Sequence, residues 1–531
     1  MAATTAHIDT FVIDRLPPAD QWPDLIFSIP EVRHPERLNA AAELLDSAVA
    51  RGWGDRPCVT GDGIEWTYAD LQTWANRLAN VLVDDCGIVP GNRVLLRAPN
   101  TPWLVAAWFA VLKAGGVVVA TMPLLRASEL RKIHDKSLPT VALCDAALDA
   151  ELNAADLPIP ALYWGASTDS LEARAEAKPA TFANVDTAAD DPALLGFTSG
   201  TTGEPKAAIH FHRDLLVIAD TFQPLLKATA DDIFCGSPPL GFVFGLGGLV
   251  VFPMRVGAST QLCSAPGIDV LADLIAQRQA TICFTAPTAY RAMLDLEGYD
   301  LSSLRRCVSA GETLPQATWQ AFFDATGVKL IDGLGATELL HIFVSASDDD
   351  IRPGTTGRAV PGYEARVIDD DGNPVADGTV GHLAVRGPIG CRYLDDDRQQ
   401  VYVQDGWNLT GDAYLRDEDG YFVYQARTDD MIISAGYNIA APEVEHALLT
   451  HPAVAEAGVI GQPDAHRGNL VRAFVHLRDP GSASDDLARE LQDHVKATIA
   501  PYKYPRQITF VAEPLPKTQT GKLQRYALRG Q

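Results

Sequence analysis

Positive charge is in short supply. The 531-residue chain carries 43 lysines and arginines against 68 aspartates and glutamates, a net charge of −25 with histidine neutral. A surface of that sign repels phosphate backbones and anionic lipid, so neither nucleic acid nor a membrane surface is an expected partner. Any anionic ligand must be held locally, by main-chain N–H groups and a few placed cations. Cysteine offers no C-x-x-C pair: eight residues are scattered from Cys58 to Cys391. A disulfide framework or structural zinc site is therefore not expected, and reduced thiols in a cytoplasmic protein are. The residues after Met1 lack a basic stretch leading into an apolar run, so no secretory signal is expected. Long hydrophobic runs are missing too. The most membrane-like stretch, 102–125, is broken by Lys113 and by Gly115-Gly116, which predicts a buried helix followed by a strand. With 42 glycines and 35 prolines, collagen-like and low-complexity chains are excluded, and no internal repeat is present. The acidic triplets 348–350, 369–371 and 395–397 do not fit the D-x-D-x-D-G calcium spacing. They are expected to be solvated turns without a function.

What is present is material for a large core: 47% hydrophobic and 21% charged residues. At about 150 residues per domain the length suggests roughly three or four folding units. Thr67 is placed to cap a helix whose apolar residues Leu71, Trp74, Leu78 and Val81 recur at helical spacing. A strand at 94–96, a helix at 103–112 and a strand at 117–120 follow. This alternation predicts parallel sheet with helices on its faces. From Thr355 the texture changes. Strands at 364–369 and 382–386 around Asp371-Gly372-Asn373-Pro374 suggest an antiparallel or barrel-like subdomain. The last hundred residues read as a small α+β module. Pro442 starts a helix with Glu443 and Glu445 in its first turn, strands are expected at 454–460 and 471–477, and Leu487, Leu491, Val495 and Ile499 form a stripe. The boundary is expected near 427–430.

The most informative segment is Thr198-Ser199-Gly200-Thr201-Thr202-Gly203-Glu204-Pro205-Lys206. Glycines let successive N–H groups converge, four hydroxyls add donors and a lysine adds charge, which is what a polyphosphate needs. Walker A spacing is absent, and composition alone leaves an ordinary polar loop as an equal alternative. Four further clusters shift the balance. Gly335-Ala336-Thr337-Glu338, after a strand expected at 328–331, supplies one hydroxyl and one carboxylate, enough for a magnesium ion bridging phosphates. Thr410-Gly411-Asp412 is read as a tight turn presenting a carboxylate to the vicinal hydroxyls of a ribose. Arg427 with Asp429 and Asp430 lies at the suspected boundary, and Pro516-Lys517-Thr518-Gln519-Thr520-Gly521-Lys522 nearly ends the chain. Each is weak alone; together and in this order they are a strong signal.

This set resembles the adenylate-forming superfamily of acyl-CoA synthetases, adenylation domains and beetle-type luciferases, over about residues 35 to 529. The resemblance implies an α/β multidomain fold. A large N-terminal domain (1–428) has two sheet-and-helix subdomains and a small β-barrel, and a small mobile α+β C-terminal domain (429–531) follows. It further implies that Thr198, Ser199, Gly200, Thr201, Thr202, Gly203 and Lys206 bind phosphate, and that Ala310, Gly311, Glu312, Asp332 and Gly333 flank adenine. Thr337 would contact the α-phosphate, Glu338 the magnesium, and Asp412 with Arg427 the ribose. Asp429 falls at the hinge, and Lys522 completes the site for adenylation. The substrates implied are ATP, a carboxylic acid and coenzyme A, with Mg2+.

Amino-acid-activating members carry an aspartate early in the pocket-lining segment. Here that segment reads Pro238-Pro239-Leu240-Gly241-Phe242-Val243-Phe244-Gly245-Leu246-Gly247 and has no acid. An ammonium buried without a partner is costly, so an α-amino acid is disfavoured. Phe242, Val243, Phe244, Gly333, Leu334 and Gly335 would line an apolar slot suited to a flat ring. Thr337-Glu338-Leu339-Leu340-His341-Ile342-Phe343 and Ser434-Ala435-Gly436-Tyr437-Asn438-Ile439-Ala440 are similar to the benzoate and 2-aminobenzoate CoA ligase branch. By that likeness His341 lies near the substrate carboxylate. Gly241 and Val243 depart from the small-residue and hydroxyl pattern of that branch, which leaves the ring substituents open. Gly436, Tyr437, Lys503 and Arg506 would face coenzyme A. The expectation is a cytoplasmic aryl-acid–CoA ligase, monomeric or homodimeric. The alternatives are an enzyme loading a carrier-protein thiol, a luciferase-like oxygenase and a non-catalytic binding protein.

Overall fold

The computed structural model describes residues 4–165, 169–198, 204–265, 267–427, 431–434, 437–464, 468–499, 501–517 and 523–529. The chain divides into two compact units: Met1–Ala365 with Val385–Asn408, and Arg366–Ala384 with Leu409–Gln531.

Two large sheets organise the first unit. One has six strands in the spatial order Ala161–Trp164, Val141–Asp145, Arg93–Arg97, Val117–Thr121, Pro192–Thr198 and Lys206–Phe211, parallel except for the last pair. The expected helix Pro102–Lys113 connects two neighbouring strands of it. Thr101 caps that helix by accepting the Leu104 N–H at 3.3 Å, and Pro102 fills the first turn, where its missing N–H costs nothing. The helix is apolar on every side because every side is covered; all its residues but Trp103 are buried. Lys113 survives there because its ammonium meets both Asp46 carboxylate oxygens at 2.6 Å. No helix among the described residues is long and apolar enough to cross a membrane.

The other sheet has nine strands: Arg358–Ala359, Ile342–Ser345, Leu330–Gly335, Arg306–Ala310, Ile282–Thr285, Ile233–Gly236, Ser259–Gln261, Pro57–Gly61 and Ile64–Thr67. Its middle is parallel and fully buried, as continuous apolar strands covered on both faces require. Cys235, Cys283 and Cys307 stand in register on three adjacent strands with no exposure, and all eight cysteines are free thiols. The register Ser309↔Asp332 and Ala310↔Gly333 brings the two expected adenine-flanking segments side by side.

Three sequence expectations need correction. The strand expected at 328–331 begins at Leu330 and runs to Gly335. Thr410-Gly411-Asp412 is not a tight turn but lies within the strand Trp407–Arg416. Gly411 does adopt positive φ (73°), but it uses it inside a strand whose pairing with Phe422–Arg427 slips just beyond, between Ala413 and Tyr414. The acidic triplets are not merely solvated: each has a member in an ion pair, while Asp349, Asp350, Asp395 and Asp397 stay exposed. Asp348 binds Arg306 and, at 2.7 Å, Lys227, and Arg306 first holds its carboxyl down at about 2. Asp396 binds Arg398 at 2.6 Å and Lys136 at 3.5 Å. Only Asp369 serves the turn as expected, accepting the N–H groups of Asp371 and Asn373.

A five-stranded sheet includes Glu364–Ile368, Gly381–Arg386 and Trp407–Arg416, in the region of the expected barrel. In the second unit, Val454–Asp464 pairs antiparallel with Gly468–Leu477, which pairs in parallel with Gln507–Val511. Helices Ala441–Leu449 and Asp485–Thr498 contribute to the core, with Val444, Leu448, Leu491 and Val495 buried against Val459 and Val475. Leu487 and Ile499 of the predicted stripe pack at the margin of that core.

Candidate active site

The edge pair of the six-stranded sheet forms the base of the phosphate-loop candidate. Thr198 and Lys206 face each other as its last register partners. The intervening Ser199, Gly200, Thr201, Thr202 and Gly203 lie outside the described residues. Glu204 is braced, its carbonyl accepting from Arg398 at 3.1 Å and its carboxylate from Lys132 at 2.9 Å. The Lys206 ammonium donates to the Tyr393 hydroxyl oxygen at 3.2 Å and sits 5.0 Å from that ring's centre.

Tyr393 in turn donates its hydroxyl proton to Glu338 Oε1 at 2.5 Å. Burial, followed by the neighbouring Glu338 charge, pushes the phenol far above its ordinary pKa, so it stays a donor. Lys206, Tyr393 and Glu338 thus form one line of charge-assisted hydrogen bonds, with Glu338 only 8% exposed. The short turn Thr337–Leu339 carries the carboxylate. It is held from beneath by His210, whose Nε2 lies 2.7 Å from the Thr337 carbonyl, and by Gly196, where a Cβ would come within 2.8 Å of the Thr337 methyl. The turn closes through Leu340 at φ 66°, ψ −30°, with the His341 N–H donating to Leu339 O at 2.8 Å. A branched side chain in that three-residue turn is a strained choice, and such strain collects at sites that must aim side chains.

Just past the strain sits His341. Its ring is 3% exposed and packed among Phe252 (centres 4.6 Å apart, edge-on), Phe244 (5.7 Å) and Phe222 (5.8 Å). Neither ring nitrogen makes a well-formed hydrogen bond, the Phe244 main chain being a weak acceptor beside the ring. Burial lowers its pKa to about 3, the Phe244 main chain opposing the shift only in part, so the imidazole is neutral around pH 7. Glycine at 247 is a steric requirement: a Cβ there would stand 2.4 Å from the His341 ring. Gly248 makes the same room for Phe284, at 2.6 Å. Phe242 precedes the short helix Val243–Leu246, and Phe242, Val243, Phe244 and Leu334 are all half-buried.

In the segments expected to flank adenine, Asp332 pairs with Ser309, and its carbonyl takes the Ser345 hydroxyl at 2.6 Å. Burial pushes its carboxyl up to about 8, and one carboxyl oxygen has no partner. Gly333 lies under Ile342 and Gly335 under the His341 carbonyl, where a Cβ would meet them at 2.4 and 2.9 Å. Ala310 ends its strand, Gly311 turns the chain at φ 91°, and Glu312 is half-buried.

Within the second unit, Asp412 is 7% exposed and accepts from Arg427 at 2.9 Å, while Arg427 also donates to Thr410 O at 3.2 Å. Gly411 lets that guanidinium in; a Cβ there would stand 2.8 Å from it. Lys503 binds both oxygens of Glu443 at 2.6 Å, and Arg506 stacks 4.7 Å from the Tyr504 ring centre. Tyr437 begins the strand Tyr437–Ala440, but its side chain lies outside the described set, as do Asp429, Gly436 and Lys522. Sequence reasoning missed Tyr393 and His210. Both act across the fold, 55 and 127 residues from their partners, and no local pattern marks them.

Comparison with known proteins gives the following. The pattern of the AMP-binding enzyme family matches residues 47–392, and that of the AMP-binding enzyme C-terminal domain matches 443–522. A benzoate–CoA ligase of Thauera aromatica is 35% identical, the match covering 94% of this chain and 97% of that one. Among solved structures, an anthranilate CoA ligase in complex with anthranoyl-AMP superposes with a TM-score of 0.87 at 34% identity, over 94% of this chain and 98% of that one. A benzoate CoA ligase from Burkholderia xenovorans LB400 superposes with a TM-score of 0.83 at 32% identity, over 93% of this chain and 100% of that one.

Proposed function

The chain belongs to the AMP-binding enzyme family, and from that premise we propose that it is an ATP-dependent aryl-acid–CoA ligase acting on an acid of the benzoate or 2-aminobenzoate type. One observation carries the choice of acid: a neutral histidine enclosed by aromatic rings, with no well-formed hydrogen bond at either nitrogen, three residues after the buried carboxylate Glu338. A buried polar group without a partner is rare enough to require a reason. A ligand carboxylate supplies one, accepting the imidazole N–H while a flat ring takes the space beside Phe244. The absence of any acid in the 238–247 segment speaks against an α-ammonium. The names of the two aryl-CoA ligases and the anthranoyl-AMP complex support the same reading.

In the proposed reaction a carboxylate oxygen attacks the α-phosphorus of ATP. That P–O bond forms as the bond to the bridging oxygen breaks and pyrophosphate leaves. The CoA thiolate then attacks the acyl carbon and AMP departs. The first step brings two anions together, so charge must be offset by fixed donors. Lys206, tied to Tyr393, would meet the outer phosphates with Thr198 and residues 199–203. Thr337 would meet the α-phosphate, Asp412 and Arg427 the ribose, and Ala310 to Glu312 with Asp332 and Gly333 the base. Lys522 would stand between carboxylate and α-phosphate. Glu338 and Thr337 offer only hard oxygen donors, which fit magnesium, and Glu338 would hold it. When bound, that ion would neutralise phosphate charge as a Lewis acid. For the second step, a hinge at Asp429 between an N-terminal domain ending at 428 and the remaining chain would let one site serve two half-reactions. Gly436 and Tyr437 would then border the thiol. Lys503, paired with Glu443, would also donate to a CoA phosphate, beside Arg506.

The test is a pyrophosphate-release screen over benzoate, 2-aminobenzoate, salicylate, hydroxylated anthranilates and medium-chain fatty acids, with and without CoA. An aryl acid should lead, with CoA turned into aryl-CoA. Turnover of fatty acids alone, or indifference to CoA, would count against the proposal.

A further inference from the structure

The segment that carries Phe242 and Phe244 is fixed from outside the pocket. Asn100 lies between the strand Arg93–Arg97 and the helix Pro102–Lys113, flanked by Pro99 and by the Thr101 cap, and is 5% exposed. Both ends of its side-chain amide are used on one stretch of main chain. Nδ2 donates to Pro238 O at 2.9 Å, and Oδ1 accepts the Leu240 N–H at 2.8 Å. Pro239 between them has no N–H to give, and its carbonyl takes the Phe242 N–H at 2.9 Å. The helix Val243–Leu246 then rests on this anchored dipeptide. A Cβ at Gly245 would come within 2.2 Å of Pro239 O and 2.6 Å of Pro238 O.

A second brace meets the same segment at Gly241, where a Cβ would lie 2.7 Å from Thr121 O. That contact is fixed because buried Arg97 donates to Met122 O at 2.9 Å and to Pro123 O and Leu125 O at 3.0 Å each. On the far side of the segment, Gly247 receives the His341 ring directly. These close approaches tie the segment at both ends, so a shift of Pro238–Leu240 is expected to reach the packing of Phe244 against His341.

We propose that Asn100 is a positioning residue for acid recognition: its bidentate hold on Pro238 and Leu240 sets the Phe244–His341 spacing, and with it acid affinity and ring selectivity. The proposal rests on the reading that the acid binds beside these two rings. It extends the acid site to a residue on the loop that follows the strand Arg93–Arg97 of the six-stranded sheet, 138 positions away along the chain.

The test uses the full chain with Asn100→Ala and Asn100→Asp, measuring pyrophosphate release at several acid and ATP concentrations, and Tm. Asn100→Ala should raise the acid KM about tenfold, leave the ATP KM within about twofold, and change the benzoate to 2-aminobenzoate preference, since two buried hydrogen bonds are lost where the acid binds. Asn100→Asp separates positioning from mere folding. When protonated, its carboxyl both donates to Pro238 O and accepts from Leu240 N, so near pH 6 its acid KM should approach that of the unsubstituted protein. On ionisation an oxygen anion faces the Pro238 carbonyl, and by pH 8.5 the acid KM should rise, relative to the unsubstituted protein at the same pH. Asn100→Ala should show no such relative pH trend. If Asn100→Ala does not fold, the pH trend of Asn100→Asp decides. Acid KM and preference unchanged in the variants, or ATP and acid KM rising together, would overturn the inference while leaving the ligase reading intact. Failure of the unsubstituted protein to turn over any acid would sink the ligase reading and this inference with it.

Discussion

Glu338 and His341 stand three residues apart yet live in opposite surroundings. The carboxylate is met by a hydroxyl donor and, through it, by an ammonium. The imidazole is met by three phenyl rings and, among polar groups, only weakly by the Phe244 main chain. One side of the strained Leu340 turn is electrostatically complete, as a site that handles charge in a transition state should be. The other is left incomplete in a way a substrate can repair. On the proposed reading the first handles charge and the second recognises the acid, so substitutions should divide between them.

The largest effect should break the charge-handling side. Lys522→Ala is expected to lower adenylation about 10²- to 10³-fold, the order of one preorganised donor to a developing charge. It should spare thioester formation from preformed aryl-AMP. Equal loss in both half-reactions, followed by stopped-flow with each starting material, would put Lys522 elsewhere in the scheme. Next, Tyr393→Phe removes the proton that Glu338 accepts and should cost adenylation about tenfold, with acid KM unmoved. A change in acid KM instead would mean that the two sides are coupled through the turn. On the recognition side, His341→Phe should raise acid KM about tenfold and leave ATP KM alone. The smallest effect sharpens the comparison through pH. A histidine whose folded pKa is about 3 against an ordinary 6.5 takes up its proton mainly when unfolded. Stability should therefore fall as pH drops from about 6.5 towards 3. Tm against pH should show a shallower acid loss in His341→Phe, with buried His212, also at about 3, keeping part of it. Asp332 has the opposite sign: raised to about 8, it is neutral when folded and ionised when unfolded. Asp332→Asn should remove a loss of stability between about pH 4 and 8.

Much of the fold was legible because it is written locally. The Thr67 cap, the apolar helix before Val117–Thr121 and the stripe from Leu487 to Ile499 follow from spacing alone. The Gly411 signal was legible but ambiguous, since a glycine at positive φ serves a strand irregularity as readily as a turn. The motifs drew attention to Glu338, Asp412 and Lys206 for the same local reason. Asn100, Arg97, His210 and Tyr393 were invisible because each acts on main chain or side chains from a different strand or loop, and such contacts leave no periodicity. Asn100 left one faint mark, a polar residue set between prolines where a strand gives way to a helix. The pairs of Asp348 with Lys227 and of Asp396 with Lys136 were hidden likewise: those partners lie on elements that only the folded chain brings near.

The account depends most on the claim that the ring-enclosed histidine faces an aryl carboxylate. The direct measurement is aryl-CoA formation from benzoate, ATP and CoA, with its acid and ATP dependence compared between the unsubstituted protein and His341→Phe. The account predicts stoichiometric AMP and pyrophosphate, and an acid KM about tenfold higher in the variant at unchanged ATP KM. Aryl-CoA formed equally well by both proteins, or by neither while straight-chain acids react, would contradict it.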